Sequence, residues 1–351
     1  MIRFLTPAVL KRHRGTTCLL RVDFNVEPGA EDTTNRVDTI LPTIRLLLQY
    51  SVKVVILSHR GRPTRREGTF SLKPFAPILS RKLHTPVRFI PGTDIASLRG
   101  RLAGSRGKIA LIENLRFFKG EEENSTAFAR RLSSLSDFYV NDAFAVAHRT
   151  HASVVAITKF LPSYGGLRLK EELARLDEVM KSSRHPFVVI VGGAKVGDKL
   201  RSLRGLLRKA DVVLLGSSVF NEKNIPNLPK LSFPDDIKAH GNLAWDIGPW
   251  TMKRYAKALA GARTIIWNGP VGFYEKSGFE AGTKAMWRAI LSASRRKPKP
   301  HIIVGGGETV ASLKDLHVTS RVPKNIFIST GGGAMLAYLA GEKLPGLEAL
   351  K

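Results

Sequence analysis

Short runs of apolar, β-branched residues alternate along the chain with longer segments whose apolar residues recur at helical spacing. In the first half, residues 18–26, 52–57, 109–112 and 138–140 have the length and composition of strands. Near-continuous Val, Ile and Leu over such short runs fits a strand buried on both faces. Residues 41–50 and 126–135 between them read as helices. In the second half, 187–191, 212–215, 264–267, 302–304 and 326–329 repeat the strand pattern. This alternation predicts α/β architecture, with parallel sheets covered by helices on both faces. The rhythm breaks near residue 160, where Gly165 and Gly166 precede a charged helix at about 168–181. That helix reads as too polar for a core and suited to bridging two domains. The limits expected are 1–164 for the first domain, 165–184 for the bridging helix, 185–330 for the second domain, and 331–351 for a segment packing back toward the first. The proline-bearing stretch 221–233 reads as an irregular loop.

Composition narrows the class. A chain of 351 residues has enough length for two cores. Hydrophobic content of 43% and charged content of 24% are those of a globular protein. The single Cys18 excludes an internal disulfide and fits a reducing compartment. No signal-like segment opens the chain and no apolar stretch reaches the length of a membrane span, so a cytoplasmic, non-membrane protein is expected. Fifty-six Lys and Arg against 29 Asp and Glu give a net charge of +27. Such an excess attracts polyanions: nucleic acid, acidic membrane surfaces or phosphorylated metabolites. The basic residues are dispersed, with local runs at 60–66 and 295–299, and no zinc-finger, RNA-recognition or basic-zipper pattern is present. A specific nucleic-acid partner is not expected.

The polar clusters follow the expected strands, where ligands bind in parallel sheets. Residues 187–191 lead into Gly192, Gly193 and a helical stretch from Ala194 that carries Lys195 and Lys199 on one face. A strand, a glycine turn and a helix N-terminus under two cations make an anion site, although an ordinary turn with solvated lysines has the same sequence pattern. It is not a Walker A loop, because Asp198 stands where lysine is needed and Leu200 follows Lys199. Asp23 and Asn25, two apart at a strand end, share one side and can bond the hydroxyls of a small ligand. Ser58-His-Arg-Gly-Arg-Pro63, Glu113-Asn-Leu-Arg116, Asn141-Asp-Ala-Phe144 and His148-Arg-Thr-His151 place guanidinium forks and imidazoles after further strands. Such forks match carboxylate and phosphate oxygens. In the second half Trp267-Asn-Gly-Pro-Val-Gly272, Gly305-Gly-Gly-Glu-Thr309 and Ser329-Thr-Gly-Gly-Gly333 are glycine turns whose N–H groups suit a polyphosphate. Glu308 reads either as a Mg²⁺ ligand or as an acidic residue favoured at a helix N-terminus. An arginine-rich pocket in one half and a glycine-lysine pocket in the other suit phosphoryl transfer with closure to exclude water.

Taken in order, these stretches resemble the phosphoglycerate kinase family. The likeness runs from Arg21-Val-Asp-Phe-Asn25 to the end of the chain and includes Tyr139-Val-Asn-Asp-Ala-Phe144 and Gly192-Gly-Ala-Lys-Val196. It implies two Rossmann-like three-layer α/β/α domains, a monomer, and as partners the small molecules 3-phosphoglycerate and ADP or ATP, with Mg²⁺ as cofactor. It implies that Asp23, Asn25, Arg36, His59, Arg62, Arg116 and Arg149 bind the glycerate substrate. Arg36, Lys195, Gly307 and Gly331 would act on the phosphoryl group in transfer. The nucleotide would contact Gly193, Lys195, Lys199, Gly216, Asn268, Glu275, Gly305, Gly306, Gly307, Glu308 and Thr309, with Glu308 on the metal. The sequence departs from the family pattern in three places: a short segment between Leu215 and Gly241, Ala244 and Trp245 beside the expected base, and Glu308 in place of an aspartate. Two other readings stand beside active kinase: a relative that binds 3-phosphoglycerate with weak or altered nucleotide binding, and a basic RNA-associated protein.

Overall fold

The computed structural model describes residues 1–28, 31–104, 107–194, 196–226, 230–318 and 322–351. The chain divides into two compact units, Met1–Leu173 with Lys343–Lys351, and Ala174–Glu342. Each is built on a six-stranded sheet whose neighbours all run parallel.

The first sheet holds β1 (Thr17–Arg21), β2 (Lys53–Leu57), β3 (Val87–Ile90), β4 (Ile109–Ile112), β5 (Phe138–Asn141) and β6 (Ser163–Gly165) in the order β3-β4-β2-β1-β5-β6. The central strand β1 pairs Cys18 with Val54 on one side and with Phe138 on the other. Its last four residues are buried, as expected of a strand covered on both faces. The helix Glu31–Gln49 starts ten residues before the expected 41, because its first part is polar and Pro42 lies inside it. Its buried stripe Val37, Ile40, Leu41, Ile44 and Leu47 has helical spacing and packs on the sheet. The C-terminal residues close on this unit, where Gly346 N–H donates to Ala147 O at 2.8 Å.

The helix Leu167–Ser182 carries a buried stripe of Leu169, Leu173, Leu176 and Val179. It also buries the ion pair Arg168–Glu172 at 2.8 Å, so its high average polarity conceals one core-facing side. The division between units falls inside this helix.

The second sheet holds β7 (Phe187–Val191), β8 (Val212–Leu215), β9 (Leu231–Ser232), β12 (Thr264–Asn268), β13 (His301–Gly305) and β14 (Ile326–Ser329), in the order β14-β13-β12-β7-β8-β9. The intervening β10 (Ile237–His240) and β11 (Leu243–Ile247) form a separate antiparallel hairpin. Part of the stretch read as irregular is thus an edge strand, too short to show a period. In this order the chain moves outward from β7 through β8 and β9, then returns on the other side through β12. The direction of winding reverses between β7 and β12, the place where doubly wound sheets open a crevice at their carboxyl edge.

Candidate active site

In the first unit the candidate residues follow β1, β2, β4 and β5. β1 ends at Arg21, so strand alternation does not set Asp23 and Asn25; a turn does. Asn25 N–H donates to Asp23 Oδ1 at 3.0 Å, and Asn25 Oδ1 accepts from Gly61 N–H at 2.8 Å. The buried Asp23 carboxylate accepts from Arg36, and its Oδ1 lies 3.8 Å from His59 Nδ1. Burial pushes the Asp23 carboxyl up, but lowering contributions led by the Arg36 guanidinium outweigh it and hold it below the usual range. Asn114 ties two loops together, donating to Arg60 O (2.7 Å) and Phe70 O (2.9 Å) while its Oδ1 accepts from Arg116 N–H (3.0 Å).

Arg116 pairs with the exposed Glu122 through Nη1, yet its Nε and Nη2 are buried without a partner among the described residues. Burial and then the neighbouring Arg149 lower its guanidinium to about 10. Arg149 is lowered in turn by burial and then by Arg62. His151 falls to about 3 through burial and then Arg116 and Arg149, and its Nδ1 is buried without a partner. His59 and His148 are lowered too, with burial the first cause and a neighbouring arginine the next. Asp23, Arg36, His59, Arg62, Arg116 and Arg149 thus form one cationic cluster that includes a neutral imidazole. Mutually repelling, partly desolvated cations with idle donors disfavour the empty state and favour a polyanion. Accordingly, 3-phosphoglycerate at a hundred times its Kd should stabilise the protein by about 2.7 kcal/mol. Differential scanning fluorimetry will register this as a rise in Tm that unphosphorylated glycerate fails to reproduce.

In the second unit two glycine turns cross at the β7/β12 switch. Gly192 N–H donates to Asn268 O (3.0 Å) and Gly193 N–H to Pro270 O (2.7 Å). A Cβ on Gly192 would stand 2.1 Å from Pro270 O, and one on Gly269, whose φ is +89°, 2.0 Å from Gly192 O. The third strand end closes against them, since a Cβ on Gly216 would lie 3.1 Å from Gly192 Cα.

The helix Val196–Ser202 does not offer the open anion site that its sequence predicts. The carboxylate of Glu222 already accepts from Val196 N–H (2.5 Å) and Gly197 N–H (3.0 Å). Lys195 lies outside the described residues. Lys199 donates to Gly192 O at 2.6 Å; burial lowers its ammonium, while Glu308 and Glu222 raise it.

The open amides belong to two other helices, Gly307–Asp315 and Gly332–Leu339. Their N-termini adjoin, for a Cβ on Gly332 would lie 2.8 Å from Gly306 Cα, and the Asn268 amide donates to Gly332 O at 3.3 Å beside them. First-turn N–H groups have no intrahelical acceptor, and two such ends side by side suit a polyphosphate. Gly331 N–H turns back to Ser329 Oγ (3.2 Å), and the buried Thr309 hydroxyl accepts from Gly269 N–H (2.7 Å). These two expected contacts therefore shape the cradle from behind. Glu308 is exposed in the first turn, and its Oε2 would lie 3.4 Å from a Cβ on Gly193.

A cleft of about 260 Å³ opens beside this cradle, lined by Ser217, Ser218, Asn221, Trp245, Val271, Phe273, Glu275 and Glu308 among others. Trp245 packs against His240, Phe273 and Phe279, with ring centroids at 4.2, 5.2 and 4.9 Å. Asn221 fastens β11 to the cleft through paired bonds with Ala244, both at 2.9 Å. Sequence reasoning missed Glu222 and Asn221, which stood in what looked like a loop, and Arg21, Glu121 and Ser153, whose partners are distant in the chain.

Comparison with known proteins shows the family of the chain. A family model described as phosphoglycerate kinase matches residues 10–225 and 219–342. The phosphoglycerate kinase of Moorella thermoacetica is 37% identical, with 95% of each chain covered, and that of Thermomicrobium roseum is 36% identical at the same coverage. The alignment with the Moorella protein spans 385 residues, more than the 351 of this chain, so it contains gaps on this chain's side. The family match comes in two stretches that overlap at residues 219–225, within the shortened segment. A crystal structure of phosphoglycerate kinase from Pyrococcus horikoshii superposes with a TM-score of 0.83 at 30% identity, covering 100% of this chain and 98% of that one. The structure from Coxiella burnetii gives 0.76 at 31% identity, covering 99% and 98%.

Proposed function

The chain belongs to the phosphoglycerate kinase family, and on that premise we propose that it transfers a phosphoryl group reversibly between 1,3-bisphosphoglycerate and ADP, giving 3-phosphoglycerate and ATP. One observation carries the reading furthest. The motif arginines converge on a pocket where Arg116 keeps two buried donors idle, as a site for a multiply charged glycerate requires.

In this reading Asp23, Asn25, Arg36, His59, Arg62, Arg116 and Arg149 hold 3-phosphoglycerate. The acceptor is its carboxylate, already ionised because an α-carboxyl titrates at roughly 3.5. No general base is needed, in keeping with the lowered His59, His148 and His151. Catalysis is then positioning and charge stabilisation. The roles in stabilising the phosphoryl group fall to Arg36, Lys195, Gly307 and Gly331. Lys199, Asn268, the Gly305–Gly306 turn and Glu275 hold the nucleotide, while Gly193, Gly216 and Thr309 shape its walls.

Among the described residues no group of three or more His, Cys, Asp or Glu is placed to hold a metal. Mg²⁺ commonly takes one or two protein carboxylates and completes its shell with phosphate oxygens and water. Glu308, exposed in the first turn of its helix, would hold it, and the ion would neutralise phosphate charge there. The reading also makes the protein a cytoplasmic monomer in which a hinge motion brings the ligands together. Weak or altered nucleotide binding is not favoured, since the cleft, the amide cradle and Lys199 are all present beside one another. A coupled assay of 3-phosphoglycerate with ATP should give turnover with Mg²⁺ and none with excess EDTA. Absence of MgADP binding up to millimolar concentration in calorimetry would overturn the reading.

A further inference from the structure

We infer that Glu121 and Ser153 are positioning residues of the glycerate pocket, acting through Arg21 to fix His59 as a neutral imidazole with its proton on Nε2. The inference rests on the reading above in placing His59 at the substrate.

The argument follows the direction of each hydrogen bond. Arg21, Glu121 and Ser153 are fully buried, and His59 is 2% exposed. A guanidinium has only donors. Arg21 Nε therefore donates to Ser153 Oγ (3.1 Å), and that contact uses the oxygen as acceptor. The hydroxyl proton is left for Glu121 Oε1, to which it donates at 2.6 Å, while Glu121 Oε2 accepts from Ser153 N–H at 3.0 Å. At its other end Arg21 Nη2 donates to His59 Nδ1 at 3.2 Å. Nδ1 must then present a lone pair, which leaves Nε2–H as the ring's single donor for a ligand oxygen. Arg21 Nη1 is held by Val22 O, so the guanidinium has little freedom to turn away.

The surrounding charges favour the same state. Arg21 on β1, Arg116 after β4 and Arg149 after β5 oppose an imidazolium, against one carboxylate, Asp23, whose Oδ1 is 3.8 Å from Nδ1 and outside hydrogen-bond reach. Burial pushes the Glu121 carboxyl up, while Arg21 and the two Ser153 donors pull it back down; as the carboxylate it balances the charge of Arg21 through the Ser153 hydroxyl rather than by direct contact. The main chain on either side is clamped as well, by Ala152 N–H to Glu121 O (2.8 Å) and Tyr139 Oη–H to Ser153 O (2.7 Å). Burying the Arg21 cation without this counter-charge would be costly. The arrangement gives His59 a pH-independent donor, where a free imidazole would change charge near neutrality.

Nitrogen-15 NMR of the imidazoles in the full chain tests the inference directly, with His59 assigned by its loss in His59→Gln. The wild-type ring should show an unprotonated Nδ1 and a protonated Nε2 from pH 8 to pH 5.5. Ser153→Ala and Glu121→Gln should each raise KM for 3-phosphoglycerate roughly tenfold, the effect of one lost hydrogen bond, with KM for ATP unchanged. In both variants the His59 ring should become a mixture of tautomers. A wild-type His59 that carries its proton on Nδ1, or titrates near pH 6.5, overturns the inference even if both variants fail to fold. So does a folded Ser153→Ala protein with wild-type tautomer and wild-type KM. A wild-type chain with this tautomer but no turnover of 3-phosphoglycerate would instead sink the functional reading alone.

Discussion

Arg116→Ala should lower kcat/KM for 3-phosphoglycerate by roughly 30- to 1000-fold, about 2–4 kcal/mol of transition-state stabilisation, the range for truncating a buried charged partner. The ligand-free protein should unfold at the same temperature or slightly higher. Both outcomes follow from one geometry. Arg116 leaves two donors unpaired in the interior and sits among cations that lower its own guanidinium, so before substrate arrives it contributes repulsion and desolvation. Its protein partner, Glu122, is exposed and returns to water at little cost. When the anion binds, those two donors become charge-assisted bonds. Steady-state kinetics and thermal unfolding on the same preparation check the pair of effects. A marked loss of stability with unchanged kcat/KM would make Arg116 a structural residue.

Gly269→Ala should destabilise the second unit by about 2–5 kcal/mol, combining an overpacking penalty with a left-handed backbone that alanine resists. The new Cβ would stand 2.0 Å from Gly192 O, so the turn carrying Gly192 and Gly193 must move. That turn is the acceptor for Lys199 and a wall of the nucleotide cleft. MgADP binding should therefore be lost, while 3-phosphoglycerate binding to the first unit persists. Gly261→Ala is the control, because a Cβ there meets nothing within 4 Å. Calorimetric titration of each ligand into each variant separates local from global damage. Retained MgADP affinity in Gly269→Ala would mean that the two turns yield easily.

The strands that were legible share one physical property. Phe187–Val191 and Val212–Leu215 appear where the apolar runs put them, since a parallel strand covered on both faces must be apolar throughout. The very short β6 and β9 have no period to detect, and the hairpin of β10 and β11 has exposed residues on one strand and mixed burial on the other. The polar start of the helix Glu31–Gln49 and the buried stripe of Leu167–Ser182 were hidden because average polarity does not reveal which face is covered.

The sequence by itself determined the α/β architecture, the strand ends that bear arginine or glycine, and the resemblance that led to a kinase. Those are local properties: apolar runs, turn residues, and short motifs in order. Only the tertiary structure decided how the groups are used. It set Glu222 at the amides where a phosphate was expected, because a segment about 25 residues downstream folds back onto that helix. It made His59 a defined donor through Arg21 and Ser153, which lie 132 residues apart in the chain. It gathered Trp245 with His240, Phe273 and Phe279 to line the rebuilt cleft. Protonation state, hydrogen-bond direction and pocket shape all depend on which side chains meet in a low-dielectric interior, and that is settled by contacts between residues far apart in the chain.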